Sequence, residues 1–174
     1  ADLGTSAIAV WNRGQVVFGA DSKSTPKAAP ARTMCKIRGY GKFFVVAAGM
    51  YGMPGTDYDV WGCFNAASHA QTVMQFSRLA EACIRPGLTG LARRMEKRDP
   101  AWYKTTIGDV PLAYAVAAIE DRQPVYISRC FEDAQRQMVP DGDTKPYGSM
   151  LPDREGRITL LGHNDAIRVD APEL

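Results

Sequence analysis

The sequence predicts a single α+β domain in which helices pack against a mainly antiparallel system of sheets. Its 174 residues are enough for one domain with a hydrophobic core. Short apolar, β-rich segments lie before and after a central region with helical periodicity. Helices that are grouped between two runs of strands, rather than alternating with single strands, are typical of α+β folds.

The N-terminal region predicts two pairs of short strands. Thr5–Trp11 and Gln15–Ala20 are β-rich, and Asn12-Arg13-Gly14 between them has the composition of a hairpin turn. After a polar loop that contains prolines, two further strands are expected at Cys35–Arg38 and Lys42–Ala48. The last of these is apolar on both faces, so we expect a central strand that is covered on both sides.

The central region predicts two helices. Thr56 and Asp59 form an N-cap pair like a capping box, so we expect a helix from this point to about Ile84. Apolar residues recur along it at spacings of three and four, which indicates one buried stripe. Pro86-Gly87 predicts a break, and a second helix is expected over Leu88–Arg98.

The C-terminal region predicts strands again. Leu112–Ile119 is the most apolar strand of the chain, and an Asp-Arg-Gln turn leads from it into Pro124–Cys130. Residues 132–156 are rich in Asp, Gln, Gly and Pro, and we expect an exposed insertion, helical in part near Asp133–Met138. Arg157–Leu161 is expected to form a last short strand.

Charge and composition argue against several functional classes. The 21 basic and 19 acidic residues are spread along the chain without a dense basic stripe, so we expect no nucleic-acid partner. No apolar run approaches about 18 residues, so we expect no membrane span. Neither of the common glycine-rich phosphate-binding motifs is present, so we expect no nucleotide. No targeting signal assigns the chain to a compartment.

The four cysteines (Cys35, Cys63, Cys83 and Cys130) are widely separated and form no Cys-x-x-Cys pair. Because the chain has only two histidines to add to them, we expect no structural zinc site. The even count allows two disulfides, and buried thiols are the interpretation that we favour for a chain of this size.

Three segments near the N-terminus carry residues suited to chemistry. Gly4-Thr5-Ser6 places a small residue before a threonine at the head of a strand, and Gly19–Thr25 ends a strand in an acid followed by hydroxyl and basic residues. Cys35-Lys36-Ile37 leads into an apolar strand that ends at Ala48-Gly49. In order and nearly in spacing, these segments resemble the N-terminal pattern of the proteasome-type N-terminal-nucleophile (Ntn) hydrolases, the family of proteasome β subunits and their bacterial relatives.

The resemblance implies a role for each residue. When the peptide bond before an N-terminal threonine is cut, the new α-amine has a pKa of roughly 7.7–8.0 and can deprotonate the hydroxyl beside it. Thr5 would be the nucleophile, Asp21 the acid that orients a lysine, and Lys36 that lysine. The backbone N–H of Gly49, the first residue of a predicted loop over 49–55, would donate to the oxyanion. Lys23 is the alternative, because Lys36 lies one residue earlier than the family spacing predicts.

The resemblance also implies a fold and an activity. The family has an αββα sandwich, and the chain lacks residues for its C-terminal helix pair. The implied activity is that of a threonine-type hydrolase that cleaves amide bonds, in particular peptide bonds, after self-processing at Gly4–Thr5, with residues 1–4 as a propeptide remnant and no cofactor. Two alternatives remain open: a non-catalytic proteasome-like structural or binding subunit that never frees Thr5, and a small-molecule amidase.

A homo-oligomer is expected on two grounds. Family members assemble into closed rings. The doubly apolar strands near Lys42–Ala48 and Leu112–Ile119 need cover on both faces, and the predicted helices suffice for about one. The substrate that we expect is a peptide or a small amide.

Overall fold

The computed structural model describes residues 2–4, 6–12, 15–21, 23–24, 32–33, 35–52, 55–106, 110–134, 137–141 and 157–162. The strands are, in chain order, β1 (Asp2–Gly4), β2 (Ser6–Asn12), β3 (Gln15–Ala20), β4 (Lys23–Ser24), β5 (Arg32–Thr33), β6 (Ile37–Tyr40), β7 (Phe43–Gly52), β8 (Leu112–Glu120), β9 (Gln123–Ala134), β10 (Gln137–Asp141) and β11 (Arg157–Gly162). The helices are α1 (Val60–Ala67), α2 (Val73–Arg98) and α3 (Pro100–Thr106).

Within these ranges the strands form two antiparallel sheets. The large sheet has the strand order β10-β9-β8-β7-β1-β4-β5, and β6 also pairs with β7. Because β8 occupies one edge of β7, β6 and β1 lie end to end along its other edge. The small sheet has the order β11-β2-β3. The α+β class that the sequence predicts is therefore correct.

The two sheets and the helices stack in layers. One core lies between the helices and the large sheet, where Phe43 and Val45 of β7 meet Phe64 of α1. The other core lies between the two sheets, where Val46 of β7 packs with Ala9 of β2. Most of both faces of β7 and β8 is thus covered within one chain, but Phe44 of β7 and Ile119 of β8 stay exposed, at 57% and 63%. Assembly stays a prediction.

Both predicted hairpins form. β2 and β3 pair over their whole length, from Ala7 opposite Ala20 to Asn12 opposite Gln15. The turn between β8 and β9 has positive φ at Asp121 (49°) and Arg122 (63°), which is the geometry of a two-residue type I′ turn. Period-two patterning and local turn chemistry were sufficient to find these elements.

The helix boundaries differ from the prediction. The expected long helix is divided, because Asp59 caps α1 and Thr72 caps α2, each side chain accepting a backbone N–H of the helix that it begins. The expected break at Pro86 is wrong, since α2 continues through it to Arg98. Proline removes one helical hydrogen bond, here to the carbonyl of the exposed residue Ala82, which water can satisfy.

Two segments that were predicted as irregular are strands. Residues 49–52, expected in a loop, continue β7 because they pair with β1. The expected helix near Asp133–Met138 is wrong, because β9 runs to Ala134 and pairs with β10. The described ends of the predicted insertion are therefore part of the large sheet. Residues 142–156 and 163–174 lie outside the described residues, so the expected lack of a C-terminal helix pair stays a prediction.

The preference for buried thiols is wrong for three of the four cysteines. Cys63 of α1 and Cys83 of α2 form a disulfide with a Cα–Cα distance of 5.6 Å. It joins the two helices across a sequence separation of 20 residues. Cys35 is exposed rather than buried.

Candidate active site

A buried ion pair joins the ends of two strands. Asp21 directly follows β3, and Lys36 directly precedes β6. The Lys36 Nζ donates a hydrogen bond to Asp21 Oδ1. The lysine side chain has 0% of its surface exposed, and the aspartate has 35%. A buried ammonium costs several kcal/mol unless it is paired, so this carboxylate compensates the lysine charge.

Lys36 is anchored by its main chain as well. Its carbonyl accepts the N–H of Ala47 on β7, at 3.3 Å. This bond extends the pairing of β6 and β7 by one residue beyond Ile37. Lys36, the lysine that the resemblance favours, is in contact with Asp21. The backbone of Lys23 lies in β4, opposite Thr33.

The chain passes from the large sheet to the small sheet around residue 5. Gly4 ends β1, where it lies opposite both Gly49 of β7 and Ser24 of β4. Ser6 begins β2, and the next residue, Ala7, lies opposite Ala20, the residue before Asp21. Thr5 itself lies outside the described residues. The residue before it, Gly4, is thus paired with Gly49. The residue after it, Ser6, begins the strand that pairs with β3, and Asp21 directly follows β3.

Gly49 occupies a backbone position that only glycine fits. Its φ is 117°, and a Cβ built on it would lie 2.3 Å from the carbonyl oxygen of Pro111. That carbonyl accepts the N–H of Met50 at 2.8 Å, which fixes the irregular course of β7. The glycine therefore holds β7 in register with Gly4 at the point where β1 ends.

Tyr51 and Trp61 lie together on the helix side of the large sheet. Their ring centroids are 5.2 Å apart, and the Tyr51 hydroxyl donates to the carbonyl of Ala47 at 2.6 Å. Burial raises the pKa of Tyr51, and the negative charge of Asp21 raises it further, whereas the positive charge of Arg38 lowers it. The phenol therefore lies in the electric field of both charged side chains.

Sequence reasoning missed Tyr51 and Arg38. Trp61, whose ring contacts both, is buried, with 7% of its surface exposed. The only signal for Arg38 was its spacing of two from Lys36, which places both residues on the same face of an extended segment. Tyr51 carried no signal, because it fell in a segment that was predicted as a loop.

A second buried polar cluster lies between α2 and the large sheet. Arg129 of β9 forms an ion pair with Glu81 of α2, and Glu81 accepts from the Ser77 hydroxyl at 3.0 Å. The Tyr114 hydroxyl lies 2.9 Å from that of Ser77. These contacts fix α2 to β8 and β9, so we assign the cluster a structural role.

Two further properties of the described residues bear on function. They contain no group of three or more His, Cys, Asp or Glu side chains that could hold a metal ion. None of the helices in the described part of the chain is long and apolar enough to cross a membrane.

No protein-family model matches the chain, and no curated protein matches it. The functional argument therefore depends on the site itself.

Proposed function

We propose that the chain is a self-processing N-terminal threonine hydrolase with an αββα sandwich fold, and that it cleaves peptide bonds. The observation that carries the proposal is the ion pair of Lys36 and Asp21, which lies where the strands that flank Thr5 meet their partners. A lysine that is fully buried and paired adds positive potential at a fixed position. Such a potential favours the neutral form of a nearby amine, which is the form that can accept a proton.

The first step would be self-processing. The Thr5 hydroxyl oxygen attacks the Gly4 carbonyl carbon, and the hydroxyl proton passes to the Thr5 nitrogen as the C–N bond breaks. The product is an ester between Gly4 and the Thr5 oxygen. Water hydrolyses this ester, which releases the Gly4 carboxylate and leaves Thr5 with a free amine and a free hydroxyl. The absence of a Cβ on Gly4 helps, because glycine can adopt the tight turn that this attack requires.

Each later turnover would use the freed amine. The amine accepts the Thr5 hydroxyl proton as the oxygen attacks the carbonyl carbon of the substrate. The Gly49 N–H would donate to the oxyanion of the tetrahedral intermediate. The proton then passes to the leaving amine as the C–N bond breaks, and water hydrolyses the resulting ester.

The position of β1 favours peptides over small amides as substrates. β1 lies between β7 and β4, with Leu3 opposite Met50 and Gly4 opposite Ser24. Once the segment before Thr5 is cut off and leaves, the main-chain groups of β7 and β4 would be open to another extended chain. A peptide can pair with both strands, as in other cases of strand addition, whereas a small amide cannot.

Intact-mass measurement and a peptide-cleavage assay together test the proposal. We expect the active protein to begin at Thr5. Thr5→Ala should abolish both processing and cleavage, and Thr5→Ser should retain part of each because it keeps a hydroxyl. The matched control is Thr33→Ala, which removes an exposed threonine of β5 and should change neither result.

Lysine variants test the ion pair in the same assays. Lys36→Met should abolish processing in a protein whose circular dichroism is native, whereas Lys42→Met, at an exposed lysine, should process normally. Full activity with residues 1–4 still attached would exclude Thr5 as the nucleophile. A chain that is neither processed nor active would support a non-catalytic subunit, and activity on small amides alone would support an amidase.

A further inference from the structure

Arg38 lies on β6, two residues after Lys36, and its guanidinium has a fixed position. The guanidinium carbon lies 4.2 Å from the centroid of the Trp61 ring. Its Nε donates to the carbonyl of Cys35 at 3.3 Å. This hydrogen bond directs the side chain back along the strand, toward the end of β6 at which Lys36 meets Asp21. The cation–π contact and the hydrogen bond together hold the guanidinium in one orientation.

The charge of Arg38 has no carboxylate partner among the described residues, in which the ion pairs found are those of Lys36 and Arg129. Lys36 already uses Asp21. Arg38 is only half-exposed, so water solvates its charge less well than that of a surface arginine. A guanidinium in this state can bind a planar carboxylate through two parallel hydrogen bonds.

A second hydrogen-bond donor of the same cluster is unused. The indole N–H of Trp61 is buried and finds no acceptor among the residues that the structure describes. Buried N–H groups in native proteins are nearly always paired, so an orphan beside a cation indicates that an acceptor joins the site from outside. The Asp59 side chain accepts the main-chain N–H of Trp61 at 3.0 Å and is not a partner of the indole.

The cluster lies beside the slot that β1 occupies. Tyr51 belongs to the part of β7 that runs beside β1, and its ring stacks near that of Trp61. Moving back along β7 from Gly49, which is opposite Gly4, the main chain of Ala47 contacts Lys36. Arg38 itself lies opposite Val45, four residues before Gly49, but its Nε donates to the carbonyl of Cys35, so the guanidinium is directed back toward the level of Lys36 and Ala47. From Ala47 to Gly49, two residues of extended chain correspond to about 7 Å, which a glutamate side chain can span.

We propose that Arg38 binds a carboxylate side chain of the substrate, so that the enzyme prefers peptides with an acidic residue immediately before the cleaved bond. The inference rests on the proposed function, because it names the substrate class of that same site. Arg38 acts here as a specificity-determining residue and takes no part in bond breaking. The Trp61 face keeps the guanidinium directed at the site when no substrate is bound.

Matched peptides that differ only in the residue before the cleaved bond test the inference. We expect kcat/KM for the Glu peptide to exceed that for the Gln peptide, and the Lys peptide to be the poorest. Arg38→Gln should lower kcat/KM for the Glu peptide by about 10-fold to 100-fold, the effect of one charge-assisted hydrogen-bonded contact, and should leave the Gln peptide nearly unchanged. Arg38→Lys should restore part of the preference.

Arg85→Gln is the control, since it removes an exposed arginine of α2 and should leave the preference intact. Cleavage of the Gln peptide as fast as the Glu peptide would overturn the role of Arg38 and leave the proposed hydrolase standing. An equal loss on all peptides in Arg38→Gln would overturn it in the same way. If no peptide is cleaved, or if cleavage persists in Thr5→Ala, the proposed function fails and this inference fails with it.

Discussion

Replacing both Cys63 and Cys83 by alanine should lower the free energy of unfolding by about 3 kcal/mol. The disulfide closes a loop with a sequence separation of 20 residues. A cross-link of that length removes chain entropy from the unfolded state worth about 3 kcal/mol. Cys63 is 7% exposed, so its truncation also removes some packing, whereas Cys83 is exposed and contributes little beyond the bond itself.

Urea unfolding followed by circular dichroism separates these two contributions. We compare the native protein and the double variant, each with and without a thiol reductant. The reductant should destabilise the native protein and leave the variant unchanged, and the difference between reduced native protein and variant measures the lost packing. Free energies are compared rather than midpoints, because an uncross-linked chain exposes more surface and has a larger m-value. In thermal unfolding the expected loss corresponds to about 6–12 °C in Tm.

The control is Cys35→Ala, at an exposed cysteine, which should change stability by less than about 0.5 kcal/mol. Thiol labelling will show whether the reductant has fully broken the disulfide of the native protein. If it has, and the free energy of unfolding with and without reductant still differs by less than about 0.5 kcal/mol, the reasoning from loop closure is refuted.

Two further predictions concern packing and pH. Gly87→Ala should destabilise the protein by about 1–3 kcal/mol, because its Cβ would lie 2.7 Å from Cδ2 of Tyr58. Gly90→Ala, on the same helix but facing open space, should stabilise it by about 0.5–1 kcal/mol, and equal effects in urea unfolding would contradict this account. Stability should also fall as the pH rises above about 10, because burial raises the pKa of Tyr51, Tyr58 and Tyr114 relative to the unfolded chain. Their contribution is complete below the unfolded pKa and is lost as the pH rises toward the folded one. Urea unfolding between pH 8 and 11 measures this slope, which should be smaller in Tyr58→Phe, and equal slopes would argue against the linkage.

Local patterns were enough to predict the α+β class and much of the sheet. Apolar, β-rich runs separated by turn-forming residues specify a hairpin within a short stretch of chain, so β2 with β3 and β8 with β9 follow from the sequence. The apolar run that became β7 was also identified as a central strand with two covered faces, and the structure covers both except at Phe44, which is 57% exposed. What covers the second face is the small sheet, which single-strand patterns do not reveal.

The candidate site could be named from the sequence only through the resemblance. The motifs gave Asp21 and Lys36 as residues that should meet, and their side chains do form an ion pair. The reactions proposed for this pair remain a prediction. Arg38 was missed because its importance depends on Trp61, which comes from a helix that is distant in the sequence.

The amino-acid sequence by itself determined the features that depend on neighbours along the chain: the β-rich runs and the two hairpin turns. The tertiary structure decided the features that depend on distant contacts. Helix α2 continues through Pro86 while its neighbours Ile84 and Leu88 are fully buried in the core. Cys63 finds Cys83 because α1 packs on α2. The preference of Pro86 against a helix is worth a few kcal/mol, and the burial of apolar surface across the core outweighs it.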